Sequence, residues 1–290
     1  MCQNYGKIMA NLRSFWHKIF LKGCAMPMSN RYAEIDGVIA YIQRHIYEPL
    51  PLSRLASYAG YSPFHFTRIF KQRIGLPPLY YVSSLRLQKA KDLLLRTSLS
   101  VRDISLEIGQ QSQGTFATRF VERVGVTPSE FRHSRLQAEE HLRSLQSLGG
   151  WREWRSGATR IGTIEGTVRS EVPFQGVTLV GLFAKPIPEG LPLYGLLLHN
   201  MGDFRFTNVK PGSYYLMATS VSWGMQVLDF LLPYTTLRAR LMEPLLVTSH
   251  SSVPYQEITL HPPEFGDPPI LISLPLLMNH FLNRTMYAGK

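Results

Sequence analysis

The segment FTRIFKQRIGLPP, Phe66 to Pro78, returns fifty residues later as FATRFVERVGVTP, Phe116 to Pro128. Phe66 matches Phe116, Phe70 matches Phe120, Arg73 matches Arg123, Ile74 matches Val124, Gly75 matches Gly125 and Pro78 matches Pro128. The likeness runs backwards as well. LSRLASYAGYS (Leu52–Ser62) aligns with VRDISLEIGQQS (Val101–Ser112) at an offset of 49, with one extra residue in the second copy.

Each copy has apolar residues at helical spacing, then a glycine-containing turn, then a second helix that ends in Gly before Pro. Glycine closes a helix because it adopts positive φ without steric cost, and proline cannot continue one. Helix, tight turn, helix is the form of a helix-turn-helix. Ser62 and Ser112 stand where they can cap the second helices, and Pro63 sits at a position that needs no amide hydrogen.

The second helix of each copy divides into two faces. Phe66, Ile69 and Phe70 point to a core, as do Phe116 and Phe120. Phe64, Thr67, Arg68 and Lys71 point outward in the first copy. Gln113, Thr115 and Thr118 point outward in the second, with Arg119 on the flank. A helix that reads a DNA groove needs such a face: an arginine that forks onto guanine, a small hydroxyl and a cation for phosphate. His65 reads as a packing residue or phosphate contact, and Tyr80 and Tyr81 as packing residues.

Between the copies, LYYVSSLRLQKAKDLLLRTS (Leu79–Ser98) carries Val82, Leu85, Leu87, Ala90, Leu93 and Leu94 at helical spacing. A helix of about 20 residues is ~30 Å long, and successive major-groove faces on one side of B-DNA are ~34 Å apart. A rigid helix of this length could hold two reading heads one DNA turn apart; the alternative reading from periodicity alone is an ordinary helical bundle with a duplicated hairpin whose polar faces are solvated.

Charge follows the same division. Residues 1–27 hold 4 Lys/Arg and no Asp/Glu, residues 28–150 hold 16 against 10, and residues 151–290 hold 11 against 10. A basic first half joined to a near-neutral second half points to a polyanion partner for the first. Residues 1–27 lack the apolar stretch of a secretory signal, and Met28 is the expected true start. Cys2 and Cys24 are the two cysteines of the chain, which excludes a disulfide framework and fits a cytoplasmic protein. The apolar run PPILISLPLLM is too short and too proline-broken to span a bilayer, so no membrane partner is expected.

Residues 35–133 resemble the DNA-binding domain of AraC/XylS-type transcription regulators. LSRLASYAGYSPFHFTRIFKQRIGLPP matches the first unit of that family. SVRDISLEIG and QGTFATRFVERVGVTPSEFR match the second, and the ending GVTPSEFR is the most specific piece. The resemblance implies double-stranded DNA as partner, RNA polymerase as a second one, and both second helices in successive major grooves. Phe64, Thr67, Arg68, Lys71, Gln113, Thr115, Thr118 and Arg119 become the contact set. Two positions depart from the family pattern: Gln110 replaces an aromatic after the turn glycine, and Thr118 stands where the family often has Arg. The second head is therefore expected to read less than the first.

After Arg143 the text changes. SLQSLGGWREWRSGATR, with Trp151 and Trp154, reads as a connector. Six short alternating runs follow, at 161–170, 177–186, 193–201, 204–209, 213–221 and 255–263, which predict strands of an antiparallel β-sandwich. VKPGS is a turn between two of them. The string F-x-F-x-N-V-x-P-G-x-Y (Phe204 to Tyr214), after Ile164, Gly166 and Val168, resembles carboxypeptidase-regulatory-like and transthyretin-like modules. The segment 223–250 exceeds such a module and reads as an insertion or a paired loop.

The expected organisation is an α + β multidomain chain: an extension (1–27), an all-α double helix-turn-helix domain (28–136), a linker (137–160) and a β-sandwich (161–290). The sandwich is a candidate site for a small-molecule effector. No Gly-rich phosphate loop, serine elbow or paired His–Glu motif occurs. HPPEFGD offers His261, Glu264 and Asp267 as hard ligands, but its proline pair prevents a helical presentation, so a polar turn is expected and neither metal, cofactor nor enzyme activity is. The rival expectation is an interaction or carbohydrate-binding adaptor in which the β-domain carries the function.

Overall fold

The computed structural model describes residues 32–110, 112–147, 162–249 and 252–279. The expectations for residues 1–27, and for Trp151 and Trp154, lie outside these.

Among the described residues eight helices come first: α1 (Ala33–Arg44), α2 (Leu52–Tyr58), α3 (Pro63–Ile74), α4 (Pro78–Arg96), α5 (Val101–Glu107), α6 (Gln113–Val124), α7 (Pro128–His133) and α8 (Arg135–Ser147). The duplicated text folds into duplicated geometry. α2 and α3 are joined by a turn at Gly60 (φ 71°), and α5 and α6 by a turn at Gly109 (φ 75°). Ser62 Oγ accepts from the His65 amide and Ser112 Oγ from the Thr115 amide, so both second helices have the cap expected of them. Both end on a left-handed glycine, Gly75 (φ 82°) and Gly125 (φ 95°), whose amides donate to Lys71 O and Val121 O. A side chain at either position would be strained, so the Gly–x–x–Pro ending is a backbone requirement.

The core repeats too. Phe66 and Phe70, with ring centroids 5.5 Å apart, are fully buried, and Phe70 meets Tyr81 of α4 edge-on at 5.6 Å. Phe116, Phe120 and Phe131 of α7 repeat this arrangement at 5.6 and 5.8 Å. Replacing any of these buried phenylalanines by Ala costs about 3–5 kcal/mol, which fixes them as core.

Eight strands follow: β1 (Ile164–Ser170), β2 (Gly176–Phe183), β3 (Tyr194–His199), β4 (Gly202–Phe206), β5 (Gly212–Ser222), β6 (Arg238–Arg240), β7 (Leu245–Val247) and β8 (Gln256–Leu260), with a short helix α9 (Val227–Leu231) after β5. They make two sheets, ordered β4-β1-β8 and β3-β2-β5-β6, and β7 also pairs with β5. Their facing side chains, among them Ile164, Val180, Leu182, Phe204, Leu216 and Ile258, form one apolar cluster. The expected wholly antiparallel pairing is corrected at one place. β1 and β8 run parallel, with Gly166 beside Gln256 and Val168 beside Ile258. Parallel strands need a crossover, and here the chain between them carries β2 to β7. Segment 223–250 supplies α9, β6 and β7, and the last two pair with β5.

The two halves share a core. β2 is buried along its whole length. Val180 and Leu182 face the sheet cluster, while Val177 and Leu179 join the cluster of the helices. A strand covered on both faces reads as a continuous apolar run, which is what VTLVGLF is. Ile270, Leu271, Ile272 and Leu274 of the tail, Phe230 and Leu231 of α9, and Leu232 just after it enter the helical cluster as well. Trp223 is half-buried against it. α8 covers residues up to 147 that the sequence places in the connector, and it packs on α9.

Candidate nucleic-acid interface

The outward face of α3 is built as the spacing predicts. Phe64 is 84% exposed, Arg68 and Lys71 are exposed, and Thr67 is half-buried. No acid lies among residues 63–74. The Thr67 hydroxyl donates to Pro63 O at 2.8 Å, so it can only accept from a ligand. Arg68 Nη2 lies 3.3 Å from His65 Nδ1, and His65 leans edge-on against Tyr61 at 4.9 Å. His65 thus packs and props the arginine.

The equivalent face of α6 differs. Gln113, Thr115, Thr118 and Arg119 are all exposed. The Thr118 hydroxyl donates to Gly114 O at 3.1 Å. Arg119 Nη1 donates to Gln110 Oε1 at 3.1 Å, so the glutamine that replaces an aromatic after the turn holds the one guanidinium on this face. Glu122 is exposed beside it. The first face is cationic and open, and the second is mixed and internally tied.

Much of the positive excess serves the fold instead. Arg86 donates to Ile46 O and Glu48 O, and burial lowers its pKa. Arg132 and Arg135 donate to Leu94 O and Leu95 O, carbonyls in the last turn of α4, and Arg132 also donates to Leu99 O in the loop that follows. Net charge alone therefore overstates the cation supply for a polyanion, while the outward-face spacing locates it.

The second half attaches at the C-terminal ends of α3 and α6. Ile74 and Val124 are their last residues. The Ile74 carbonyl accepts from Arg240 Nη1 at 2.9 Å, and the Val124 carbonyl accepts from the Ser273 amide at 2.9 Å. Helix-end carbonyls need such partners, and a cation there also suits the helix dipole. The Gly190 amide donates to Arg123 O at 2.7 Å. Between the two units, Lys91 of α4 is fully buried, donates to Ile270 O and Leu271 O at 3.2 Å each, and lies 5.4 Å over the Phe131 ring. Burial pulls its pKa to about 7. These contacts leave the N-terminal halves of α3 and α6 uncovered. Nothing in the sequence marked Arg240, Ser273 or Lys91 as seam residues.

Tyr80, expected as a packing residue, is polar-bonded instead. Its hydroxyl donates to Glu189 and accepts from Lys185 Nζ at 2.9 Å. The Arg123 guanidinium lies 4.4 Å over its ring. His261 and Glu264 stand 3.9 Å apart, and Asp267 Oδ2 accepts from the Glu264 amide at 2.9 Å. That carboxylate closes a turn, and among the described residues no cluster of three metal-ligating side chains occurs. Among them, too, no helix is long and apolar enough to cross a membrane.

Comparison with known proteins agrees with this geometry. A helix-turn-helix domain family matches residues 55–134. The chain is 33% identical over 100 residues to the HTH-type transcriptional activator AarP of Providencia stuartii, covering 34% of this chain and 74% of that protein. It is 31% identical over 113 residues to uncharacterized HTH-type transcriptional regulators of Staphylococcus aureus, covering 39% of this chain and 15% of those proteins, so it spans a small part of their length. A solved AraC-type transcriptional regulator from Chromobacterium violaceum matches with 32% identity over 38% of this chain and 97% of that one, at a TM-score of 0.36. The family match ends before β1 and leaves the sheets outside it. The domain match over residues 55–134 and the AarP match together place the chain in the AraC-type family of helix-turn-helix transcription regulators.

Proposed function

We propose that the chain is a sequence-specific DNA-binding transcription regulator whose α3 and α6 enter successive major grooves. The observation that carries this is the pair of equivalently capped helices whose outward faces stay open while their far ends are anchored. Arg68 forks onto a guanine, Phe64 packs on a thymine methyl, and Lys71 holds a phosphate. α6 mainly positions the protein, because Thr118 offers only acceptor capacity and Arg119 is engaged by Gln110. The helical unit spans 28–136, and the β-sandwich from 161 on is its partner domain, a scaffold and candidate effector site with no catalytic constellation. RNA polymerase is the partner that the family resemblance implies, and the cytoplasm the compartment.

The test is selection of duplexes from a random pool, followed by hydroxyl-radical footprinting. Two protected patches about one helical turn apart support the reading. Retention of duplexes with no sequence preference would sink it.

A further inference from the structure

A cleft of about 660 Å³ opens at the seam between α6 and the β2–β3 connection, within the range of small-molecule sites. The duplication does not explain it, because Arg123 pairs with Glu189 of that connection whereas Arg73 pairs with Asp36 of α1. Its floor is a polar cluster. Glu189 accepts from Tyr80, from Lys185 Nζ at 3.0 Å and from Arg123 Nε at 2.5 Å. Arg123 also donates to Ser83 Oγ at 3.2 Å and Ser84 Oγ at 2.5 Å. One carboxylate thus faces two cations, leaving one positive charge in the wall. Arg119 and Glu122 at the rim add one charge of each sign. The Tyr80 hydroxyl raises the pKa of Lys185 by its hydrogen bond, and desolvation raises that of Tyr80, so the ammonium stays charged and the phenol neutral. The Lys185 side chain is 58% exposed, so it can donate to an incoming acceptor. The other walls are apolar: Leu79, Leu191 and Leu193 are exposed large side chains, and Phe183 and Ile187 line the interior.

We propose that this cleft binds a small monoanionic organic acid, its carboxylate on Lys185 and its apolar body against Leu79, Phe183, Leu191 and Leu193. A single uncompensated cation beside an apolar wall selects a carboxylate with a hydrocarbon part over a neutral molecule or a bare phosphate. The same loop bonds the last turn of α6 through Arg123 and Gly190, and Arg119 is shared between the cleft rim and the outward face. An occupant therefore bears directly on the second reading head. This consequence rests on the DNA-binding reading above, whereas the binding itself does not.

Calorimetry on the full chain without DNA, using 3-phenylpropanoate, 3-phenylpropan-1-ol and inorganic phosphate as probes, separates the two. Saturable 1:1 binding of the acid is expected, at least about tenfold tighter than the alcohol and not displaced by phosphate. Lys185→Gln should remove that tenfold preference and leave the alcohol unchanged. Ala184→Trp, which adds bulk at a lining residue that takes no part in the ion pairs, should abolish binding of both; thermal melts of the two variants report that each is folded. No heat from the acid at about 10 mM, equal affinity for acid and alcohol, displacement by phosphate, or an unaffected Lys185→Gln each overturns the proposal. If acid binding follows the expected pattern but duplex selection shows no sequence preference, the ligand site stands and the DNA reading falls.

Discussion

Arg123 and Glu189 meet in an ion pair in which the side chains are 8% and 6% exposed. Arg73, which occupies the same place in the first unit, pairs with Asp36 of α1 at 3.4 Å, with side chains 36% and 18% exposed. Each arginine also faces a tyrosine ring, Tyr80 at 4.4 Å and Tyr32 at 5.9 Å. One duplicated residue has thus been put to two uses. In the first unit it fastens α3 to α1, and in the second it fastens α6 to the β2–β3 connection.

Burial decides the size of the two effects. Removing one partner of a buried pair strands a charge and costs about 3–5 kcal/mol. The Arg73–Asp36 pair is partly exposed on its arginine side, so water screens it and its loss falls toward the ~0.2–1 kcal/mol of surface pairs. Denaturant unfolding of Glu189→Gln should therefore show a loss several times that of Asp36→Asn. Similar losses would mean that water reaches the Arg123 pair.

Lys91 predicts a pH dependence of stability. Burial lowers its folded pKa from 10.5 to about 7. Below about pH 7 both states hold the proton, and the folded state carries the full cost of burying the charge. Between about 7 and 10.5 the unfolded chain binds more protons than the folded one, so stability rises with pH across that window. Burial pushes Lys89 the same way, with Asp92 opposing it, so the informative quantity is a difference. The stability gain of Lys91→Met over the parent should be larger at pH 6 than at pH 10. A gain independent of pH would show that the ammonium is not desolvated by the Ile270–Leu271 segment.

On DNA, Arg68→Ala should lose about 1–3 kcal/mol of discrimination between a selected operator and random duplex. Lys71→Ala should weaken all duplexes alike and reduce the slope of log K against log salt by about one. Gel-shift titrations at several salt concentrations read both. Undiminished discrimination in Arg68→Ala removes that residue from base reading.

At Gly125 a Cβ would stand 2.4 Å from Leu276 Cδ2, in a backbone with φ +95°. At Gly75 the nearest atoms are Arg240 Nη1 at 3.0 Å and Met242 Cε at 3.2 Å, ends of flexible side chains. Both alanine variants carry the left-handed penalty of ~1 kcal/mol, but Gly125→Ala also displaces Leu276. Its melting temperature should fall further than that of Gly75→Ala, and the two falling equally would place the Leu276 segment off the cap.

By itself the sequence determined everything that repeats locally: the two glycine turns, the serine caps, the left-handed helix ends, the buried phenylalanine pairs and the outward set Phe64, Thr67, Arg68 and Lys71. These follow from residue type and helical spacing within about twenty residues, so no tertiary knowledge is needed. Most strands were legible for the same reason, since alternation is local. Tertiary structure decided what depends on distant pairing. Nothing within Ile164–Ser170 specifies that its neighbour Gln256–Leu260 runs parallel. No local signal distinguishes Arg73 from Arg123 either. Their sequence contexts are nearly the same, and only the arrival of Glu189, 66 residues on, separates them. Lys91 reads as one more polar residue on a helix until Ile270 and Leu271 close over it. The cleft beside Lys185 exists because the two halves meet there, and a seam between segments a hundred residues apart has no signature in either one.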